Sequence, residues 1–150
     1  LEMRGAYARP PPPGCAVHLA SVWPKYSYGT FIGGVLAFGP AAFEEVNGFP
    51  NDYWGWGLED DQLALRMGHK QIRTLRLKSG SFIDLDPKNM KEVLERNRRE
   101  EIVDHLQWYN MEMFRNAALT LDEDWSTNGL RNLRFETVRS SAHGIVRHYV

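Results

Sequence analysis

The chain has 150 residues, 43% of them hydrophobic and 25% charged, with a formal net charge of -1 at pH 7. That length buries a sizeable core, and that balance excludes a disordered chain, a basic nucleic-acid surface and an acidic tail. One cysteine, Cys15, excludes an internal disulfide and a thiolate zinc site, and no apolar run approaches the roughly 20 residues of a membrane helix, so no membrane contact by this segment is expected.

Residues 1–16 read as a connector, because the four prolines from Pro10 to Pro13 lack backbone donors and favour extended polyproline II. A chain opening on Leu1 is expected to be a fragment or processed piece of a longer protein. Residues 17–150 read as one domain. Val17–Ser21 is a short apolar strand, and Thr30–Phe38 a buried strand whose Gly33-Gly34 pair lets something approach the backbone closely. Pro40 starts a helix through Val46 that Asn47-Gly48 closes. Phe49–Leu58 is an aromatic, glycine-hinged loop. Glu59-Asp60-Asp61 opens the next helix, which runs to Met67 and stops at Gly68. Ile72, Leu75 and Leu77 mark a strand, and Lys88 to Gln107 carries the longest helical pattern. Asp122–Gly129 is a polar connector, with strands expected over Leu130–Val138 and Gly144–Val150. Short strands interleaved with helices predict an α/β layer architecture.

The chemistry concentrates between Gly33 and Asp61. Adjacent carboxylates at a helix start sit well against the positive end of the helix dipole, whatever their function. The loop before them narrows the meaning. Trp54-Gly55-Trp56-Gly57 places two large rings among residues of free backbone, and sugars stack apolar C–H faces on rings while their hydroxyls seek carboxylates. An aromatic loop running into a carboxylate cluster therefore predicts a carbohydrate site.

Gly33-Gly34-Val35, Asn47-Gly48-Phe49 and Tyr53-Trp54-Gly55-Trp56-Gly57-Leu58-Glu59-Asp60-Asp61 resemble, in order and spacing, the signature of the β-1,4-galactosyltransferase family. His18-Leu19-Ala20-Ser21, Tyr26, Tyr28 and Phe31, with the later Asn128-Gly129-Leu130, are most similar to the branch that adds galactose to xylose in proteoglycan linkers. The resemblance spans roughly residues 17–140. It implies the C-terminal portion of a GT-A-type, Rossmann-like α/β fold without its N-terminal nucleotide-binding half. It implies an inverting, metal-dependent transfer of galactose from UDP-galactose to the 4-hydroxyl of a glycan or glycoprotein acceptor, in the Golgi lumen, with a type II membrane anchor outside this segment.

Residue by residue, the resemblance makes Asp60 the general base, with Glu59 and Asp61 holding acceptor hydroxyls or orienting it. Trp56 is the mobile ring hinged by Gly55 and Gly57, and Trp54 and Tyr53 belong to the same substrate-binding loop. Phe31 lines the donor-sugar pocket, and Gly34 meets the donor phosphates. The family's second metal-binding element, His-x-His before Pro in the linker branch, is here Asp84-Leu85-Asp86-Pro87. Residues two apart on a strand share a face, so Asp84 and Asp86 are the expected ligands of Mn²⁺ or Mg²⁺. That departure keeps open a second reading, a non-catalytic carbohydrate-binding relative, while the lack of an EF-hand-like alternation argues against a third, an ion-binding module built on Glu59, Asp60 and Asp61. The five histidines form no ligand spacing and read as surface or packing residues.

Overall fold

The computed structural model describes residues 10–23, 29–55, 57–81, 95, 102–120, 127–134, 140–143 and 146–149. In chain order these form β1 (Cys15–His18), a 3₁₀ turn (Leu19–Val22), β2 (Leu36–Phe38), α1 (Pro40–Glu45) and α2 (Glu59–His69). There follow β3 (Arg73–Arg76), α3 (Ile102–Leu119), a second 3₁₀ turn (Leu130–Asn132), β4 (Ser140–His143) and β5 (Val146–Tyr149). The α/β expectation holds. β1 is the central strand of a three-stranded sheet, antiparallel to β2, with Val17 opposite Ala37, and parallel to β3, with Ala16 opposite Thr74. β4 and β5 pair as a separate antiparallel hairpin.

Several expected boundaries move, each for a local reason. The first strand starts at Cys15, two residues inside the expected connector, and ends at His18 because Leu19–Val22 turns as 3₁₀, with the Leu19 and Ala20 amides both donating to Val35 O. The expected Thr30–Phe38 strand shrinks to Leu36–Phe38, because the segment before it wraps around side chains of β1 and β3. Gly68 lies inside α2, and the helix ends instead at His69, with Lys70 as its C-cap and Gln71 in the left-handed region at φ 57°. α3 continues past Gln107 to Leu119, while most of its expected first half lies outside the described residues. Leu130–Asn132 is a 3₁₀ turn rather than the start of a strand. Cys15 is fully buried.

The core is the contact between sheet and helices. Ala16, Ile32, Ala42, Val46, Leu63, Met67 and Ile72 form its buried cluster, with Leu36, Phe38, Phe43 and Ala64 packed against it. Leu63 and Met67 lie one turn apart on α2 and face the sheet, which sets the rotation of the helix.

A second, polar core ties α2 to two loops. Arg66 is fully buried, and its guanidinium donates to Gly48 O at 3.0 Å and Asn128 O at 2.7 Å. Asn47 joins the same two loops. Its side chain donates to Asn128 O and accepts the Arg131 amide, while its carbonyl accepts Leu130 N–H. Gly129 is required here. At φ 147°, a Cβ on it would stand 2.0 Å from Asn47 O. Arg66→Met keeps the apolar stem but removes the guanidinium bonds to Gly48 O and Asn128 O, and should lower stability by about 2–4 kcal/mol. Urea unfolding should show this as a lower midpoint at unchanged slope.

Candidate active site

α2 begins without a side-chain cap. Leu58 at its N-cap holds the left-handed region at φ 76°, a strained position for a non-glycine residue, where the glycine-rich loop enters the helix. Successive residues on a helix point about 100° apart, so the three carboxylates of the first turn diverge. Asp60 lies above the core-facing row of Leu63 and Met67 and points over the sheet. Glu59 lies above the row of Gln62 and Arg66 and faces the aromatic loop. Asp61 is exposed.

Asp60 meets the segment leading into β2 at Gly33. A Cβ on Gly33 would stand 2.2 Å from Asp60 Oδ2 and 2.5 Å from the Phe31 ring. The expected close approach to the glycine pair is therefore the carboxylate and the aromatic ring together. Asp60 Oδ1 accepts the Asp61 amide at 3.0 Å. Asp61 has a carboxyl raised above its ordinary value, by desolvation first and then by the Asp60 charge beside it. Gly33 and Gly34, the latter at φ 85°, border an apolar cleft of about 550 Å³ that continues over Phe38, Phe43 and Phe49.

The Phe31–Gly33 segment is clamped from below. Arg76, at the end of β3, donates to Gly29 O at 2.8 Å, Phe31 O at 2.7 Å and His18 Nδ1 at 2.9 Å. Arginine only donates, so His18 Nδ1 accepts and its Nε2–H donates to Gly33 O at 2.8 Å. His18 also sets its ring edge-on to Phe31, with centroids 6.0 Å apart. Sequence reasoning placed His18 among surface or packing residues. It is fully buried, and its two ring nitrogens fix the backbone on which Asp60 rests. No local pattern announces this, because Arg76 lies 58 residues away.

The Trp loop is held from the other side by Asn110 of α3, a residue the sequence did not single out. Asn110 is buried. Its Oδ1 accepts Trp54 N–H at 3.2 Å, and its Nδ2 donates to Trp54 O at 2.9 Å and Gly57 O at 3.1 Å. Gly55, at φ 76°, lies on Leu106 of the same helix. Tyr53 donates its hydroxyl to Gln62 Oε1. Tyr53, Trp54, Gly55, Glu59 and Asn110 border a second hollow, of about 330 Å³, which shares Phe49 with the first.

Of the expected residues, Gly34 borders the first hollow and Tyr53, Trp54 and Glu59 the second, while Asp60 and Phe31 meet at Gly33 beside the first and Gly57 is tied to Asn110. Trp56, Asp84, Asp86, Tyr26 and Tyr28 lie outside the described residues. Among the described residues no group of three or more His, Cys, Asp or Glu side chains could hold a metal ion. No helix of the described residues is long and apolar enough to cross a membrane.

The clamp implies a pH dependence. Burial first, and the Arg76 charge in addition, hold His18 below its ordinary value of 6.5, while its bond to Gly33 O opposes the shift. Below 6.5 the unfolded imidazole takes a proton that the folded one refuses, so stability should fall as pH drops through that range and level off above it. His18→Gln, whose amide offers one donor and one acceptor, should flatten the decline. Urea midpoints from pH 5 to 8 for both proteins check it.

A family model described as the N-terminal domain of galactosyltransferase matches residues 14–90. Among curated proteins, beta-1,4-galactosyltransferase 7 of Drosophila melanogaster is 40% identical over 70 residues, covering 43% of this chain and 22% of that protein. Xylosylprotein 4-beta-galactosyltransferase of Caenorhabditis elegans is 44% identical over 54 residues, covering 36% of this chain and 19% of that protein. The solved catalytic domain of Drosophila beta-1,4-galactosyltransferase 7, in complex with xylobiose, superposes with a TM-score of 0.55 at 24% identity. That superposition covers 89% of this chain and 52% of the solved one, so the chain spans about half of that domain and shares its GT-A fold. With more than half of its residues inside the family match, on a fold that brings Asp60 against Gly33 beside the Trp54–Gly57 loop, this chain belongs to the galactosyltransferase family.

Proposed function

We propose that this chain carries the acceptor side of an inverting galactosyltransferase, which moves galactose from UDP-galactose to the 4-hydroxyl of xylose or another terminal sugar, with Asp60 as general base. The observation that carries this reading is the placement of Asp60 Oδ2 against Gly33, between the clamped Phe31–Gly33 segment and the Trp loop. Asp60 Oδ1 is engaged by the Asp61 amide, so Oδ2 is the oxygen placed to take a proton. The reading draws further support from the solved complex of a Drosophila relative's variant with manganese, UDP-Gal and xylobiose.

The step balances as one displacement. The acceptor oxygen forms a bond to the anomeric carbon from the face opposite UDP, and its proton passes to Asp60 Oδ2. The bond from the anomeric carbon to the diphosphate oxygen breaks, and its electron pair leaves with UDP. Phe31 and Gly34 border the donor side of this geometry, and Trp56, between its two glycines, is the ring we place over the reacting sugar. Glu59 and Asp61 hold neighbouring hydroxyls. The Golgi lumen is the compartment this reading implies.

Asp60→Asn in the full-length protein should lower turnover by about 10²-fold or more while acceptor affinity changes far less. Initial rates with UDP-galactose and a xyloside, beside acceptor binding by calorimetry, measure both. Near-normal turnover would remove Asp60 from the role, and acceptor binding by a wild-type protein with no transfer would favour the carbohydrate-binding reading.

The residues that would hold an ion are sought outside the described ones, among which no group of three or more His, Cys, Asp or Glu side chains could hold one. Asp84 and Asp86 stand as proposed ligands on their spacing and the Pro after them. An Asp84→Ala, Asp86→Ala double variant should bind Mn²⁺ more weakly than the parent in a metal titration, with carboxylate ligation favouring Mg²⁺ more than imidazole would. Equal metal affinity in the two proteins would return both residues to a turn.

A further inference from the structure

α3 holds the Trp loop with one face, and its other face carries a pattern of its own. Asn110 and Ala117 are buried on the side that packs against α2, and Leu106 lies against Gly55. Counted at about 100° per residue, Trp108, Glu112, Arg115 and Leu119 fall within about 60° of one another on the opposite side. We propose that this outer row is a contact surface for a second copy of this chain, in which two α3 helices pair antiparallel about a two-fold axis. The proposal stands apart from the reading of Asp60 and uses none of its residues.

Three observations carry it. Trp108 is 63% exposed and Leu119 84%, and these two large apolar side chains end the row. Single apolar residues scattered on a surface are ordinary, but these share one stripe of one helix. The four residues also follow one another at intervals of four, three and four, the alternation that makes the seam of a coiled coil. Finally, their order is apolar, acidic, basic, apolar, which matches itself when reversed. An antiparallel partner centred between residues 113 and 114 sets Trp108 against the partner's Leu119 and Glu112 against the partner's Arg115. The two-fold axis then repeats both contacts. Parallel pairing in register would instead set Glu112 on its own copy and Arg115 on its own, like charge against like.

Charge selects the occupant. Glu112 and Arg115 bond each other at 2.7 Å within the helix, with side chains 38% and 63% exposed. A partner of one charge sign would leave one of them unmatched, whereas a second copy closes a ring of two acids and two bases around the axis. Taking water from these charges costs free energy that their attraction offsets in this register alone, so they fix the alignment while Trp108 and Leu119 supply the affinity. A single helix pair buries little surface, which puts the dimer at the weak, concentration-dependent end of protein association. Pairing braces from outside the helix whose inner face holds Trp54 and Gly57 through Asn110.

The experiment is sedimentation equilibrium of the full-length protein over a range of about 1 to 200 µM, wide enough for a weak dimer. The mass should rise from one chain toward two. Trp108→Ala should raise the dissociation constant about tenfold or more. Arg115→Glu gathers four acids at the axis and Glu112→Arg four bases, so each should leave a monomer. The protein carrying both changes should dimerise again, because the exchange preserves the match. Circular dichroism should stay unchanged in every variant, since all these side chains face solvent in the single chain. A monomer throughout the range, a dimer indifferent to Trp108→Ala or to either single reversal, or a double variant that stays monomeric would each overturn the pairing. So would a monomer whose Trp108 fluorescence, identified with Trp108→Phe, is shielded from acrylamide, which would give the row to another part of the same chain.

Discussion

A side chain on residue 33 would place its first carbon 2.2 Å from Asp60 Oδ2, closer than any real carbon contact. The rest of the site follows from that missing atom. Because Gly33 has no Cβ, the N-terminus of α2 can lie directly on the segment leading into β2, and a carboxylate and an aromatic ring can share the backbone surface between them. The helix is aimed there by its own core stripe, since Leu63 and Met67 must face the sheet and Asp60 stands in line with them. Hydrophobic packing thus points the carboxylate, and glycine lets it arrive.

The segments around this contact are irregular backbone, and each is held by buried or half-buried polar side chains from regular elements. His18 of β1 and Arg76 of β3 grip residues 29–33, Asn110 of α3 grips the Trp loop, and Arg66 of α2 grips the turns at Asn47 and Asn128. Loops lack the ladders that satisfy backbone groups elsewhere, and a buried side chain with fixed geometry can replace them. Such bonds are each modest in net energy but expensive to break inside the protein, so they select one loop conformation more than they add stability.

Three like charges on one helical turn would repel if they converged. Divergence by about 100° per residue spreads them over a sheet-facing contact, an aromatic hollow and open solvent, and the first-turn N–H groups favour the negative charge of all three. Residual coupling remains visible at Asp61, whose carboxyl is raised partly by Asp60. The same turn can therefore address more than one hydroxyl of a bound glycan without the carboxylates competing for a single position.

Much was legible in the residues alone. Proline before Ala41 and Asn47-Gly48 after Val46 bounded α1, whose N1 is Pro40 and whose exit carries Asn47 and Gly48 at φ 57° and 64°. The glycine pair announced a close approach to the backbone, and the run from Tyr53 to Asp61 marked the candidate site and the family. These signals are local, written within a few positions of one another by steric and hydrogen-bonding rules. What only the tertiary structure decided involves partners distant in sequence. His18 became a clamp because Arg76, 58 residues on, arrives beside it on a parallel strand, and Asn110 became the anchor of a loop 56 residues earlier. The expected Thr30–Phe38 strand shrank for the same reason, since side chains of β1 and β3 bind its first half in place of a neighbouring strand. The division of Glu59, Asp60 and Asp61 among three environments likewise required the rotation of α2, which is set by where its apolar face finds the sheet and not by any residue within the triplet.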